Sequence, residues 1–533
     1  MKQPKIDKII FFSAVAVIAI LSILLLADPE TGTKIFGNAL IFITGKFGTL
    51  YLLGCAAAFG MLVWLALGKY GNIKFGDPET KPEFSTKSWV AMLFTAGIGS
   101  GLMYWGTIEW AWYYLYPPYQ VEPKSVEAAN WAATYGMFHW GFTAWAIYCL
   151  PALPIAYAMY VRKYKNARLS TACAGVIGEK HAQGIVGKVI DVFFMFGIIG
   201  GVGTSLGLAT PLISQALSTM IGVEKSMTLD AIIIVAWTII FGLSVYTGLK
   251  KGLKILSDIN AWLFIGVALF IFVFGPTVFI LSRFTDSLGL LLQNFVRMSF
   301  YTDSVGGSGF AEGWTIFYWA WWVAYAPFMG IFVARISKGR TIRQLVAAEL
   351  IGGTLGCWLA FAVLGNTSMS LQLAFAKDPA AGVDVAGIME KSGEPAAIVA
   401  TFQALPGGFL LLGAFTILTL IFLATTLDSS AYTLADAASK EIEDGQEPAK
   451  WHRLFWAIAL GAIAIILMYG GGLKALQKLS VITSFPLIFI LGIASYSFLK
   501  WLREDEIKVR NQEADNEFTA YGKKDESTRA IVS

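Results

Sequence analysis

Apolar residues in this chain gather into long continuous runs separated by short polar connections. Twelve runs are close to or above the roughly 20 residues that a helix needs to cross a hydrocarbon layer of about 30 Å. They are residues 9–27, 48–68, 88–115, 130–160, 185–218, 227–248, 256–282, 311–334, 343–366, 404–437, 453–472 and 476–500. Several exceed what a membrane requires, so they tilt, kink or run beyond it. The pattern predicts an all-α polytopic membrane protein. Lys2, Lys5 and Lys8 precede the first run. No small-residue cleavage site follows it, so it reads as a span and not as a removed signal.

The polar connections predict orientation. Lys69, Lys74, Lys81 and Lys87 follow the second run, and Arg162, Lys163, Lys165 and Arg168 the fourth. Lys250, Lys251 and Lys254 follow the sixth, and Arg335, Lys338, Arg340 and Arg343 the eighth. The alternate connections, such as 116–129 and 219–226, are poorer in basic residues, which puts both termini in the cytoplasm. Residues 284–300 mix apolar and polar positions without spanning length and read as an amphipathic helix along the outer face. Residues 501–533 are polar and mixed in charge, which reads as a short mobile tail.

Composition agrees with a membrane chain and removes other classes. Of 533 residues, 56% are hydrophobic and 14% charged, where a soluble domain carries about a quarter charged. The net charge of +4 is carried by the connecting loops and gives no reason to expect nucleic acid. Cys55, Cys149, Cys173 and Cys357 lie in or near apolar runs without metal-ligand spacing and read as buried thiols. With no nucleophile motif, metal cluster or phosphate loop at convincing spacing, an enzyme is not expected.

Two runs carry helix breakers. The third contains Gly97, Gly99 and Gly101, and the eighth contains Pro327 and Gly330 in AYAPFMG. Unwound backbone is costly in lipid but tolerated along a wet cavity, where bare N–H and C=O groups meet ligands. Close packing through small residues is the plain alternative for the glycines. A spacing of two does not build one helix face, and the break is the better reading. Breaks five runs apart point to a site between two related halves.

Aromatic residues cluster near the breaks. FHWGFTAWAIY places Trp140, Trp145 and Tyr148 on a limited arc, and GWTIFYWAWWVAY does the same for Trp321, Trp322 and Tyr325. Interfacial belts account for isolated residues such as Trp64 or Trp501, but fit two mid-span clusters poorly. A quaternary ammonium cannot donate a hydrogen bond, so proteins hold it by cation–π attraction inside a ring of aromatics. In ATTLDSS, Thr425 and Thr426 offer hard oxygen ligands at membrane depth, although threonines in helices commonly bond back to their own carbonyls. Glu109 and Asp428 are charged positions inside runs and hence functional candidates by default; bonding to freed backbone is the preferred reading. His139 is taken as packing or hydrogen bonding, and Arg335 and Arg340 as fixing a cytoplasmic loop or gate.

The tryptophan-rich run Gly313 to Trp322, followed by ARISKGRT at Ala334–Thr341, closely resembles the signature of the betaine/carnitine/choline transporter family. The resemblance covers nearly the whole chain. It implies a five-plus-five inverted repeat after two preceding helices, and usually a homotrimer in the cell's plasma or inner membrane. Residues 1–8 would then be a cytoplasmic N-terminus and 9–87 two peripheral helices. Residues 88–282 and 311–500 would be the repeats, 283–310 an extracellular amphipathic helix and 501–533 the cytoplasmic tail. The family's aromatic box falls on Trp140, Trp145, Tyr148, Trp321, Trp322 and Tyr325. Gly97, Gly99 and Gly101 would bend a helix around the substrate, with Trp112 and Met329 beside the pocket. The carbonyls of Thr95, Ile98 and Phe422, with Thr425 and Thr426, match a sodium site, and Phe328 a ring near a second one. Sodium-independent carnitine exchangers share Met at position 329 but carry Arg where this chain has Asn260, so the resemblance favours sodium as coupling ion. An acid at Gly101 would suit choline; its absence favours a zwitterion such as glycine betaine. The expectation is therefore import of an onium compound by sodium symport, with sodium-independent exchange or choline import as alternatives.

Overall fold

The computed structural model describes residues 4–165, 168–247, 249–440, 446–469, 478 and 481–508. Among them, β-structure is limited to two isolated bridges, Ile6–Ser439 and Lys74–Thr341. All else of regular structure is helix.

Helix α1 (Lys8–Ala27) starts where the Asp7 side chain accepts from the Ile9 amide. Asp28 then caps α2 (Pro29–Leu67), with Pro29 at its first position. Helix α3 (Thr86–Leu115) is capped by Ser85, and α4 (Val126–His139) by Ser125. Next come α5 (Phe142–Tyr160), α6 (Ile185–Ile221), α7 (Met227–Thr247), α8 (Leu249–Phe274) and α9 (Thr277–Ser299). The second half holds α10 (Ala311–Ile336), α11 (Ile342–Lys377), α12 (Gly408–Ala437), α13 (Lys450–Tyr469) and α14 (Val481–Lys508). Among the described residues, nine stretches are both long and apolar enough to cross a membrane, α4 and α5 counting as one. The other three expected spans are also helical, as α1, α3 and α13.

Burial sorts the helices into layers. The apolar window of α10 is 89% buried and that of α4–α5 83%, against 33% for α8 and 39% for α7 and α2. An apolar residue gains nothing from burial against protein rather than lipid, so an apolar helix with a mostly uncovered surface suits a lipid-facing position. Helices α10 and α4–α5 form the inner layer. Gly330 of α10 packs on α5: a Cβ there would lie 2.7 Å from the Pro151 Cβ. Gly330→Leu is therefore expected to destabilise the protein by about 1–3 kcal/mol through overpacking, read as a lower melting temperature in detergent.

Four sequence expectations need correction. Helix α2 begins at Pro29 rather than residue 48, because the Asp28 cap and Pro29 start a helix before the strongly apolar stretch. It spans 39 residues, roughly 60 Å at 1.5 Å rise, and so must tilt or protrude. The eighth run is not broken at Pro327 or Gly330: α10 continues through both, and Gly330 serves the contact with Pro151. The amphipathic helix starts at Thr277, just after Gly275-Pro276 ends α8. Residues 501–508 are not a loose tail but the end of α14, with Trp501 and Leu502 buried. Glu504 and Asp505 there pair with Arg162 at 2.9 and 3.0 Å, and Glu506 with Lys69 at 2.5 Å. Asp7 in turn pairs with Lys188 at 3.1 Å and lies 4.0 Å from Arg168. The two described chain ends thus share one face with these basic loops. Arg340 ties the loop between α10 and α11 to Phe84 and Thr86, and Arg335 joins Asp436 of α12 at 2.5 Å.

Candidate substrate and ion site

Helix α3 breaks at one residue. Gly99 has φ 49° and ψ −150° inside an otherwise continuous helix, a conformation essentially confined to glycine. A Cβ at Gly99 would lie 2.6 Å from the Thr426 hydroxyl, so the break presses against α12. A second interruption separates α4 from α5. Trp140 caps α4, and Gly141 is non-helical at φ −101° and ψ −147°.

Beside these breaks a cavity of about 20 Å³ is lined by Gly101, Trp140, Tyr148, Gly201, Ser205, Trp321, Trp322, Tyr325 and Thr426. The rings meet edge to face: Trp140 to Trp322 at 5.1 Å and 86°, Tyr148 to Trp322 at 4.7 Å and 70°, and Trp140 to Trp321 at 6.3 Å and 90°. Mutually perpendicular faces around one small space can surround a compact cation. A space of this size admits little more than a water, so the rings must part to admit a trimethylammonium group.

Five of the six expected box residues line the cavity. Trp145 stands behind them, stacked on Phe94 at 6.4 Å and edge-on to Tyr148 at 6.1 Å. Trp112 is away from the cavity, against Tyr116 and Trp314 at 6.0 and 6.4 Å. Met329 is buried without lining it, and Phe328 lies 4.9 Å from Tyr325. Gly201 and Ser205 of α6 were missed; their signal is the small-residue run GIIGGVGTS at 197–205.

The hydroxyls of Thr425 and Thr426 both donate to the Phe422 carbonyl, at 2.8 and 3.1 Å. Back-bonding is therefore present, but each hydroxyl oxygen keeps lone pairs for a cation. Among the described residues the buried Thr95 hydroxyl has no hydrogen-bond partner, and neither have the two amide atoms of Asn260. Gly97 and Ile98 lie on α3, but with Ala96 their surroundings fall outside the described residues.

Glu109 and Asp428 were expected to bond freed backbone, but the structure gives them side-chain donors instead. Asp428 accepts from Ser244 at 2.5 Å. Glu109 accepts from Tyr113, Trp140 and Tyr318. His139 hydrogen-bonds Tyr113 and Thr315 at 2.8 and 2.9 Å, in line with a bonding role.

Residues 9–507 match the family model described as BCCT, betaine/carnitine/choline family transporter. The chain belongs to this family. It is a transporter and not an enzyme, and family membership with several apolar helices makes it a multi-pass membrane protein. A solved structure described as the substrate-bound outward-open state of a Na+-coupled sialic acid symporter is also similar, at 14% identity and TM-score 0.42, over 84% of this chain and 85% of that one.

Proposed function

We propose that this transporter imports a quaternary-ammonium zwitterion, glycine betaine or a close relative, by sodium symport. The observation that carries this reading is the set of five aromatic rings around one small cavity that also touches Thr426. Aromatic faces supply attraction for the onium head without demanding a hydrogen bond. The Ser205 hydroxyl, which donates to the Gly201 carbonyl at 3.3 Å, lines the same cavity and can turn its proton toward the other end of the molecule. Thr425 and Thr426, with the Thr95 and Phe422 carbonyls, are the residues that would hold the sodium ion. Such an ion favours the conformation in which α3 and α12 are together, coupling its gradient to alternating access. A five-plus-five repeat following α1 and α2, a homotrimer, and cytoplasmic termini in the plasma or inner membrane complete the proposal. The polar Asn260, which brings no charge of its own, supports sodium use; Met329 favours sodium-independent exchange as the second reading.

Replacing Thr425 and Thr426 together with alanine tests the coupling. Sodium stimulation of uptake is expected to fall at least about tenfold, the equivalent of losing roughly 1.4 kcal/mol of ion binding. Unchanged sodium stimulation in the double variant would sink the assignment of the ion to these hydroxyls.

A further inference from the structure

One carboxylate lies directly behind the cage. Glu109 is fully buried on α3, where a charge is costly and needs a reason. Three donors converge on it: Tyr113 at 2.5 Å on one oxygen, and Trp140 Nε1 at 2.9 Å and Tyr318 at 2.5 Å on the other. Trp140 also lines the cavity, so a single hydrogen bond joins the carboxylate to the cage wall.

Proton bookkeeping follows from these contacts. Tyr113 gives its only proton to Glu109 and must therefore accept from His139 Nδ1, 2.8 Å away. His139 Nε2 hydrogen-bonds the Thr315 hydroxyl at 2.9 Å, a group that can donate or accept. These contacts place a proton on His139 Nδ1. That nitrogen lies 3.8 Å from Glu109, and among the described residues no Lys or Arg forms an ion pair with this carboxylate. Side-chain hydrogen-bond donors, and no Lys or Arg, thus surround the carboxylate among the described residues.

We propose that Glu109 is a positioning residue for the onium cage, fixing the Trp140 indole through Nε1 and lending its negative charge to the cavity side of that ring. The proposal rests on the onium reading above. An anion at the indole N–H raises electron density in the ring and strengthens its pull on a cation. The same charge attracts the cation directly through a medium of low dielectric. A neutral glutamine would keep a hydrogen-bond acceptor and lose both electrostatic effects.

The experiment compares two ligands of one shape on the purified full-length protein by calorimetry. Glycine betaine carries a trimethylammonium head; 3,3-dimethylbutanoate has an uncharged carbon in place of the nitrogen. The wild type is expected to prefer glycine betaine by about tenfold or more. Glu109→Gln is expected to lose about tenfold of that preference while binding 3,3-dimethylbutanoate within about twofold of wild type. Glu109→Asp, which keeps the charge, is expected to recover part of it. Equal weakening of both ligands, or an unchanged preference, overturns the inference, since a merely structural residue would act on both alike. If Glu109→Gln does not fold, Tyr318→Phe is read instead. It removes one donor and leaves more of the charge to the cavity, so the preference is expected to rise about twofold; an unchanged or lower preference overturns the inference. A wild type that fails to distinguish the pair overturns the onium reading and this inference with it. Discrimination retained by Glu109→Gln overturns this inference alone.

Discussion

Trp322→Leu is expected to weaken binding of glycine betaine by about thirtyfold while leaving the transporter folded. Trp322 is the ring that the others share: Trp140 and Tyr148 both present edges to it, at 5.1 and 4.7 Å. A buried cation–π contact supplies up to about 2 kcal/mol, and each 1.4 kcal/mol is a factor of ten. Among the described residues its indole Nε1 has no hydrogen-bond partner, so its removal orphans no polar group there, and leucine still fills much of the space. Trp322→Phe keeps an aromatic face and is expected to lose less than Leu. Titration of each purified variant with glycine betaine and with tetramethylammonium checks both points. Near wild-type affinity in Trp322→Leu would remove the cage from the account.

Gly99→Ala is expected to abolish transport, with uptake below about one hundredth of wild type. Two costs fall on one methyl group. The backbone at φ 49° and ψ −150° costs a residue with a side chain on the order of 1–3 kcal/mol. The new Cβ would also sit 2.6 Å from the Thr426 hydroxyl, so either α3 straightens or α12 moves. A displacement of about 1 Å in a binding constellation is enough for a loss of order a hundredfold. Gly101→Ala provides the contrast: its Cβ would lie 3.6 Å from Trp140 and 3.9 Å from Trp321, ordinary contact distances. That variant is expected to fold normally and to bind a bulky onium less well than a small one. Uptake assays paired with melting curves separate the two cases, and active Gly99→Ala would contradict the assigned role of the break.

Among the described residues the expected spans are helical, because membrane crossing imposes a length that sequence alone reveals. The break in α3 was also legible, since glycines spaced by two serve no single face. Pro327 misled for a physical reason. Neighbouring helices re-satisfy backbone that a proline frees, and α10 is packed tightly on α5 at Gly330. The helical-arc argument for Trp140 and Trp145 failed at Gly141. The two residues belong to different helices, one capping α4 and the other inside α5, so a 3.6-residue period does not connect them. Trp145 accordingly backs the cage instead of lining it. The Tyr318 partner of Glu109 was hidden because it is 209 positions away, a contact that only the tertiary fold creates.

The most direct test is uptake of labelled glycine betaine by the purified protein in sealed proteoliposomes, with an inward sodium gradient or with potassium in its place. The account predicts accumulation above the external concentration with sodium and none with potassium. Uptake that ignores sodium but is driven by unlabelled onium compound trapped inside would contradict symport and establish exchange.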